Sequence, residues 1–326
     1  MRNIRFIIII AVNFLTLHAL SQDYHFSGLL PGYIFSNPSY AAVPSTPELA
    51  ATYRNQWPGS PATFVTYGAA FVMPVAAMNS GIGINVLNDI QGDGVISRTY
   101  AGLLYGYGID LNREWRMGMG VGVSYVFKNF DAGTLVFRSD ILNELGYGYS
   151  SVVLEDYSMS YPDFSLGLTL TNTLGFQAGL SVNHLTRPHE SANNMMNDRL
   201  PMRYSGYITT RINQPAQYSK MSLVFEPGLF YSKQGNNQEL IWGMQTVLSS
   251  SFVFGAWLRQ NLKFNYDAVI FSVGILKEKY NFLYSYDVNV KKLQFLSTKM
   301  GAHEVTFLYR LEYNRKNKGA VECPAY

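Results

Sequence analysis

His303 and Glu304 open the pattern of a zinc-protease helix, in which two histidines four residues apart hold the metal and the glutamate acts as base. Phe307 occupies the second histidine position and the neighbouring residues alternate like a strand, so that chemistry fails. There is no G-x-S-x-G elbow and no phosphate-loop lysine. Gly81-Ile82-Gly83 lies inside a strand-like run with no helix after it, which a dinucleotide fingerprint needs. Glycine there makes room on a crowded interior. Asp89, Gly92, Asp93 and Gly94 have the composition of a weak calcium loop, but a hairpin turn uses the same residues and is the simpler reading. His184 and His189 flank a loop without the cysteines or carboxylate pair that would define a metal site. Cys323, the only cysteine, cannot form an internal disulfide and reads as incidental or structural. No catalytic, cofactor or metal site is expected.

The elements that carry these residues follow from composition. Of 326 residues, 48% are hydrophobic and 15% aromatic, while only 14% are charged. A soluble domain carries about 25% charged residues, so this surface lacks the charge that normally faces water. Mean hydropathy is near zero, far too low for a bundle of membrane helices. A formal charge of +3 gives no electrostatic support for nucleic-acid binding. Apolar residues spread thinly among abundant Gly and Tyr point to β-structure in contact with lipid.

Arg2 and Arg5 precede the apolar run Phe6 to Leu20, and Ala19 and Ser21 stand three and one residues before a cleavage ahead of Gln22. Residues 1–21 therefore read as a secretory signal peptide. From residue 48 the dominant period is two, which sends alternate side chains to opposite faces of a sheet. Phe164, Leu166, Leu168 and Leu170 alternate with Ser165, Gly167, Thr169 and Thr171; Met117, Met119, Val121 and Val123 alternate with Gly118, Gly120 and Gly122.

The period predicts fourteen strands near 48–56, 63–72, 81–89, 96–109, 115–127, 161–171, 175–183, 202–211, 221–232, 238–248, 252–260, 267–276, 280–288 and 303–313. Most run 9 to 13 residues, against about 5–6 for soluble strands and roughly 9–11 for a tilted membrane crossing. The expected fold is all-β: a transmembrane antiparallel barrel of the outer membrane over 48–313, which leaves no sheet edge unpaired in hydrocarbon. With the first strand running outward, the longest breaks, 128–160 and 184–201, fall outside. Inner turns near 73–80 and 212–220 are longer than this scheme favours. Residues 22–47 and 314–326 would then be periplasmic segments.

Several segments in order resemble the PorP/SprF family, outer-membrane proteins of type IX secretion in the Bacteroidetes. Gln22 to Ser27 looks like the family's mature start, and Asn37-Pro38-Ser39-Tyr40-Ala41 resembles its Asn-Pro-Ala-type motif, with Ser39 departing from the commoner Ala. Tyr53-Arg54-Asn55-Gln56-Trp57-Pro58 is the most specific match, followed by Phe64 to Tyr67. Gly81-Ile82-Gly83 through Asn88-Asp89 and Gly92-Asp93-Gly94 resembles the next block; Gly301-Ala302-His303-Glu304 and Cys323-Pro324 resemble the C-terminal features. The match is densest over 22–94 and sparse through the middle of the chain.

The resemblance implies a non-enzymatic barrel integral to the outer membrane, with both termini periplasmic. It would support export or surface attachment of cargo proteins, including gliding adhesins, with ring components of the apparatus or the cargo as partners. The matched residues, above all Asn37, Pro38, Arg54 to Trp57, Asn88, Asp89, Gly92, Asp93, His303 and Glu304, would have structural or partner roles. The alternative is a passive porin or small-molecule transporter. Charged rings would mark such a pore, and the inward positions read as mostly Gly, Ser, Thr and Asn. Arg54 is expected to face the lumen or the rim, because a charge on the lipid face near midplane costs roughly 2–4 kcal/mol.

Overall fold

A wall between lipid and an interior needs large apolar side chains on one face and small or polar ones on the other. In the computed structural model this alternation builds one antiparallel sheet, and the structure describes residues 23–60, 63–135, 155–190, 199–214, 222–249, 251–290 and 301–312. The strands are β1 (Glu48–Gln56), β2 (Phe64–Val75), β3 (Ser80–Gln91), β4 (Ile96–Asp110), β5 (Trp115–Phe130), β6 (Tyr157–Asn172), β7 (Gln177–Asn183), β8 (Arg203–Thr209), β9 (Ile212–Asn213), β10 (Leu223–Gln234), β11 (Asn237–Leu248), β12 (Phe252–Gln260), β13 (Tyr266–Leu276), β14 (Tyr280–Asn289) and β15 (Ala302–Arg310).

Each strand pairs with its neighbours, and β1 pairs with β15, so the sheet closes on itself. β8 and β9 lie in one line against β10, with Thr209 opposite Gly228 and Ile212 opposite Phe225. The break between them falls opposite Pro227, which has no N–H to give. Counting them as one crossing gives a closed barrel of 14 strands. Every expected crossing is present; β1 and β12 keep the expected ends and the others shift. β2 runs on to Val75 and is followed by a short 3-10 turn, Ala76–Met78, and a left-handed Asn79, so the turn near 73–80 is tight rather than long. The signal peptide, most of the 212–220 turn, the tail 314–326 and Cys323 lie outside the described residues.

Outward positions are apolar: Leu103 is 65% and Leu180 64% exposed, and Ile84, Val121, Phe164 and Phe271 share that surface. Two ends can be told apart. The turn end holds the start of β1 and the tight connections 76–79, 111–114, 173–176 and 277–279; the loop end holds the finish of β1 and the long breaks after β5, β7 and β14.

The segment ahead of β1 departs from expectation. Rather than lying free outside the barrel, it runs through the lumen. Asp23 sits at the loop end, where its N–H donates to Gln234 Oε1 at 3.1 Å. Helix α1 (Leu29–Ser36) and the 3-10 turn η1 (Pro38–Ala42) follow, and Pro47 meets Leu311 beside the start of β1 at the turn end. Asp23 and the finish of β15 are thus at opposite ends of the barrel, not the same one. The reason is composition: Phe26, Tyr33, Ile34, Phe35, Tyr40 and Ala41 form an apolar strip that is buried against the inner wall. Tyr33 stacks on Tyr207 with ring centroids 3.8 Å apart, and Phe26 packs on Phe35 at 5.6 Å.

Glycines on the inner face make the space. A Cβ at Gly120 would fall on the backbone of Ser39, one at Gly81 on the Ala41 carbonyl, and one at Gly167 on the Asn37 side chain. These are the small residues of the sequence's alternation, and η1 lies on them. Gly120→Val is therefore expected to unseat η1 at a cost of roughly 1–3 kcal/mol or more. Val121→Ala, one residue away on the lipid side, should leave the plug seated. Urea midpoints in detergent, with proteinase K cleavage within 23–47, check both.

Candidate functional site in the barrel lumen

The inward face is richer in charge than the sequence suggested. Glu48, Arg54, Asp89, Arg98, Lys128, Asp163, Arg203, Arg259, Asp287, Glu304 and Arg310 are all buried there. They are one or two to a strand among uncharged inward residues, so the composition of the face hides them, and barrel closure brings them into pairs.

The main cluster grips the start of the plug. Arg54 of β1 and Glu304 of β15 are register partners across the closing seam, 3.5 Å apart as an ion pair. Arg54 Nη2 also lies 2.9 Å from Asp287 Oδ2, and Arg259 Nη1 reaches the same oxygen at 2.7 Å while its Nε pairs with Asp267 at 2.8 Å. The plug fills the remaining valences. Ser27 N–H and Gly28 N–H donate to the two Glu304 oxygens at 2.6 and 2.8 Å, Ser27 Oγ donates to Asp287 Oδ1 at 2.5 Å, and Arg54 donates to Ser27 Oγ. Glu304 therefore accepts the amides just ahead of α1, where helix N–H groups lack internal partners.

Nearer the loop end, His184 is held between two carboxylates. Its Nε2 lies 2.5 Å from Asp23 Oδ2 and its Nδ1 2.8 Å from Asp163 Oδ2. Burial alone would lower the His184 pKa, but the Asp23 charge and the hydrogen bonds to Asp163 and Asp23 prevail and raise it to about 10. Arg203 donates to the Tyr24 carbonyl at 3.1 Å and lies over the Tyr24 ring. A third cluster joins Arg98, Lys128 and Tyr161 to Glu190, at 2.8, 2.9 and 2.6 Å, tying the loop after β7 to the wall. At the turn end Tyr40 donates to Glu48, which pairs with Arg310 at 3.2 Å.

The structure divides the motif residues between places. Asn37 caps η1, accepting from Ser39 N–H at 3.0 Å and donating to the Leu168 carbonyl at 3.2 Å; Pro38 follows it at the first position of η1. Arg54, Gln56, Asp89 and Glu304 point inward, with Gln56 accepting from Arg54 and Asp89 accepting from Thr66 and Gln91. Asn55, Asn88 and His303 are on the outer face, where Asn88 donates to Thr99 at 2.6 Å and His303 meets the Tyr284 hydroxyl at 2.7 Å. Trp57 turns the chain after β1 with φ 58°, a conformation bulky residues rarely adopt. Gly92, Asp93 and Gly94 all have positive φ in the β3–β4 hairpin; Asp93 is exposed at its tip while Asp89 is buried, so the two do not converge on a common ion. No group of three His, Cys, Asp or Glu placed to hold one metal ion occurs among the described residues. Sequence reasoning missed Asp23, Asp163, Arg259 and Asp287. For Asp163, Arg259 and Asp287 the available signal was a charge at an inward position of an alternating strand; Asp23, ahead of any strand, had none.

Beside the plug the cavities are small, about 40 and about 90 Å³, while one of about 670 Å³ opens at the loop end. A closed barrel with an apolar outer face and its own N-terminal segment packed in the lumen defines an outer-membrane β-barrel of the internally plugged kind. The chain belongs to the family described as Type IX secretion system membrane protein PorP/SprF, which matches residues 19–309. No curated protein matches it in sequence. Among solved structures it is similar to the toluene transporter TbuX of Ralstonia pickettii (10% identity, 86% of this chain and 94% of that one, TM-score 0.49). It is also similar to the toluene transporter TodX of Pseudomonas putida (9%, 89% and 94%, 0.46) and to a FadL homologue of Pseudomonas aeruginosa (12%, 86% and 94%, 0.43).

Two outcomes follow. Arg54→Ala leaves Asp287 and Glu304 without a shared cation and should destabilise the barrel by about 3–5 kcal/mol; Arg54→Lys should recover part of this, as read by urea midpoints. His184 has its pKa raised by its partners, so its contribution is full below the ordinary value of 6.5 and is lost as pH climbs through about 10. The wild-type urea midpoint should fall over that interval, and His184→Gln should flatten the fall.

Proposed function

We propose that this barrel acts in type IX secretion, supporting export or surface attachment of cargo proteins as a docking and anchoring element of the apparatus rather than as an open conduit. Family membership over residues 19–309 is the observation that carries the reading. The plug supports the second half of it. A segment crossing the lumen, held by hydrogen bonds from Ser27 and Gly28 to Asp287 and Glu304 and by the Asp23–His184 pair, opposes free diffusion of solutes. With the loop end outside, the described residues exposed to a periplasmic partner are those of the turn-end connections, and the loop-end cavity faces the exterior. The tail 314–326, with Arg315, Lys316 and Lys318, would add a basic periplasmic docking segment.

The test compares released and surface-displayed proteins of a deletion strain with those of its complemented parent. Loss of one or a few large surface proteins is the expected result for a dedicated cargo role, and broad loss of exported proteins for a role in the core apparatus. An unchanged exported set with altered uptake of small solutes would replace this reading with a transporter.

A further inference from the structure

The cavity of about 670 Å³ at the loop end is lined by the plug residues Asp23, Tyr24 and His25 and by the facing ends of β10 to β13. Its buried polar atoms are unbalanced in one direction. Asp23 Oδ1 and Gln260 Oε1 are both buried without a hydrogen-bond partner among the described residues, and Gln260 as a whole is only 6% exposed. Glu239, half-buried, lines the same cavity. All three are acceptors. An acceptor left buried and unpaired, as those of Asp23 and Gln260 are, is costly, so what is missing is a donor.

Charge points the same way. Around the cavity and the clusters behind it, leaving out Asp267 and the rim lysines alike because their side chains are exposed, the cations Arg54, Arg203, Arg259 and protonated His184 face five carboxylates, Asp23, Asp163, Asp287, Glu304 and Glu239. Arg259 is committed to Asp267 and Asp287, and Arg203 to Ser232 and the Tyr24 carbonyl. His25 does not supply the missing charge, because burial and the Arg54 and Arg259 charges hold its pKa well below the ordinary value. Lys233 and Lys263 stand at the rim with exposed side chains.

We propose that this cavity is a binding site for a primary ammonium group, held by Glu239, Gln260 and Asp23. An ammonium carries three donors and one positive charge, matching three acceptors and the acidic excess. Two sources supply that chemistry. Cleavage ahead of Gln22, expected from the sequence, creates an α-ammonium one residue from Asp23, and consecutive Cα atoms are about 3.8 Å apart. The other source is a lysine of a partner protein entering from the loop end. The site does not depend on the secretory role proposed above, and its test reads binding rather than export.

The experiment uses the mature barrel purified from membranes in detergent, with heat-modifiable gel migration to show that each variant is folded. N-terminal sequencing first fixes where the chain starts. Reductive methylation of the α-amine is then timed in folded and urea-unfolded protein, and propylammonium, with tetramethylammonium as a cation lacking N–H, is titrated by calorimetry. A chain starting at Gln22 whose amine reacts about tenfold more slowly when folded, with the protection lost in Glu239→Gln, assigns the site to the chain's own terminus. A chain that is blocked or starts elsewhere, yet binds propylammonium and not tetramethylammonium in a Glu239-dependent way, assigns it to an outside amine. A Gln22 amine that reacts at the unfolded rate, with no Glu239-dependent propylammonium binding, overturns the proposal. So does protection that survives in Glu239→Gln, and so does a blocked or different terminus with no Glu239-dependent propylammonium binding.

Discussion

A segment that is not part of the sheet can occupy a barrel only if its backbone and polar side chains find partners away from water. The Arg54–Glu304–Asp287 cluster meets that demand. Two plug amides and one hydroxyl are received by carboxylates, and those carboxylates are made tolerable by two arginines. Each part requires the others. Without the plug, Glu304 would lose its amide donors; without Arg54, two acids would face each other. Such a cluster gives one arrangement of the plug rather than a large gain in stability.

The apolar half of the fit is steric. The aromatic strip of the plug packs toward β8 and β2, where Tyr33 stacks on Tyr207 and the Phe35 ring lies over Gly68. η1 lies on the glycine floor of β3 to β6. Side-chain size on the inner face is thus set by the plug and not by a pore, which is why glycine is concentrated where η1 touches. The loop end is different: polar side chains from four strands leave space, and buried acceptors remain open to whatever enters.

The barrel was legible in the sequence because period-two alternation is local and repeats in every strand: Met117 to Val123 against Gly118 to Gly122 is readable without knowing any partner. Arg54 could be placed on the lumenal side by cost alone. The plug was not legible, since residues 22–47 have no period and their apolar strip is uneven. The charged clusters were hidden for another reason. Asp163, Arg259 and Asp287 each lie on a different strand, and only closure of the sheet brings their side chains together. The Asn55-Gln56 and His303-Glu304 pairs show the limit of motif reading, because neighbours in sequence fall on opposite faces and serve different surroundings.

The pairing of Arg54 with Glu304 across β1 and β15 has a consequence for the order of assembly. These residues are 250 positions apart, so the contact forms only when the last strand arrives, and such distant pairings form slowly. The plug is made before any strand, yet its grip at Ser27 and Gly28 needs both edges of the seam. Threading this segment into a finished cylinder would mean dragging polar backbone past a tight glycine floor. Wrapping avoids that: the strands add in turn around the early segment, and the final strand fastens the cylinder and its contents in one step. The seam is then both the closure and the lock.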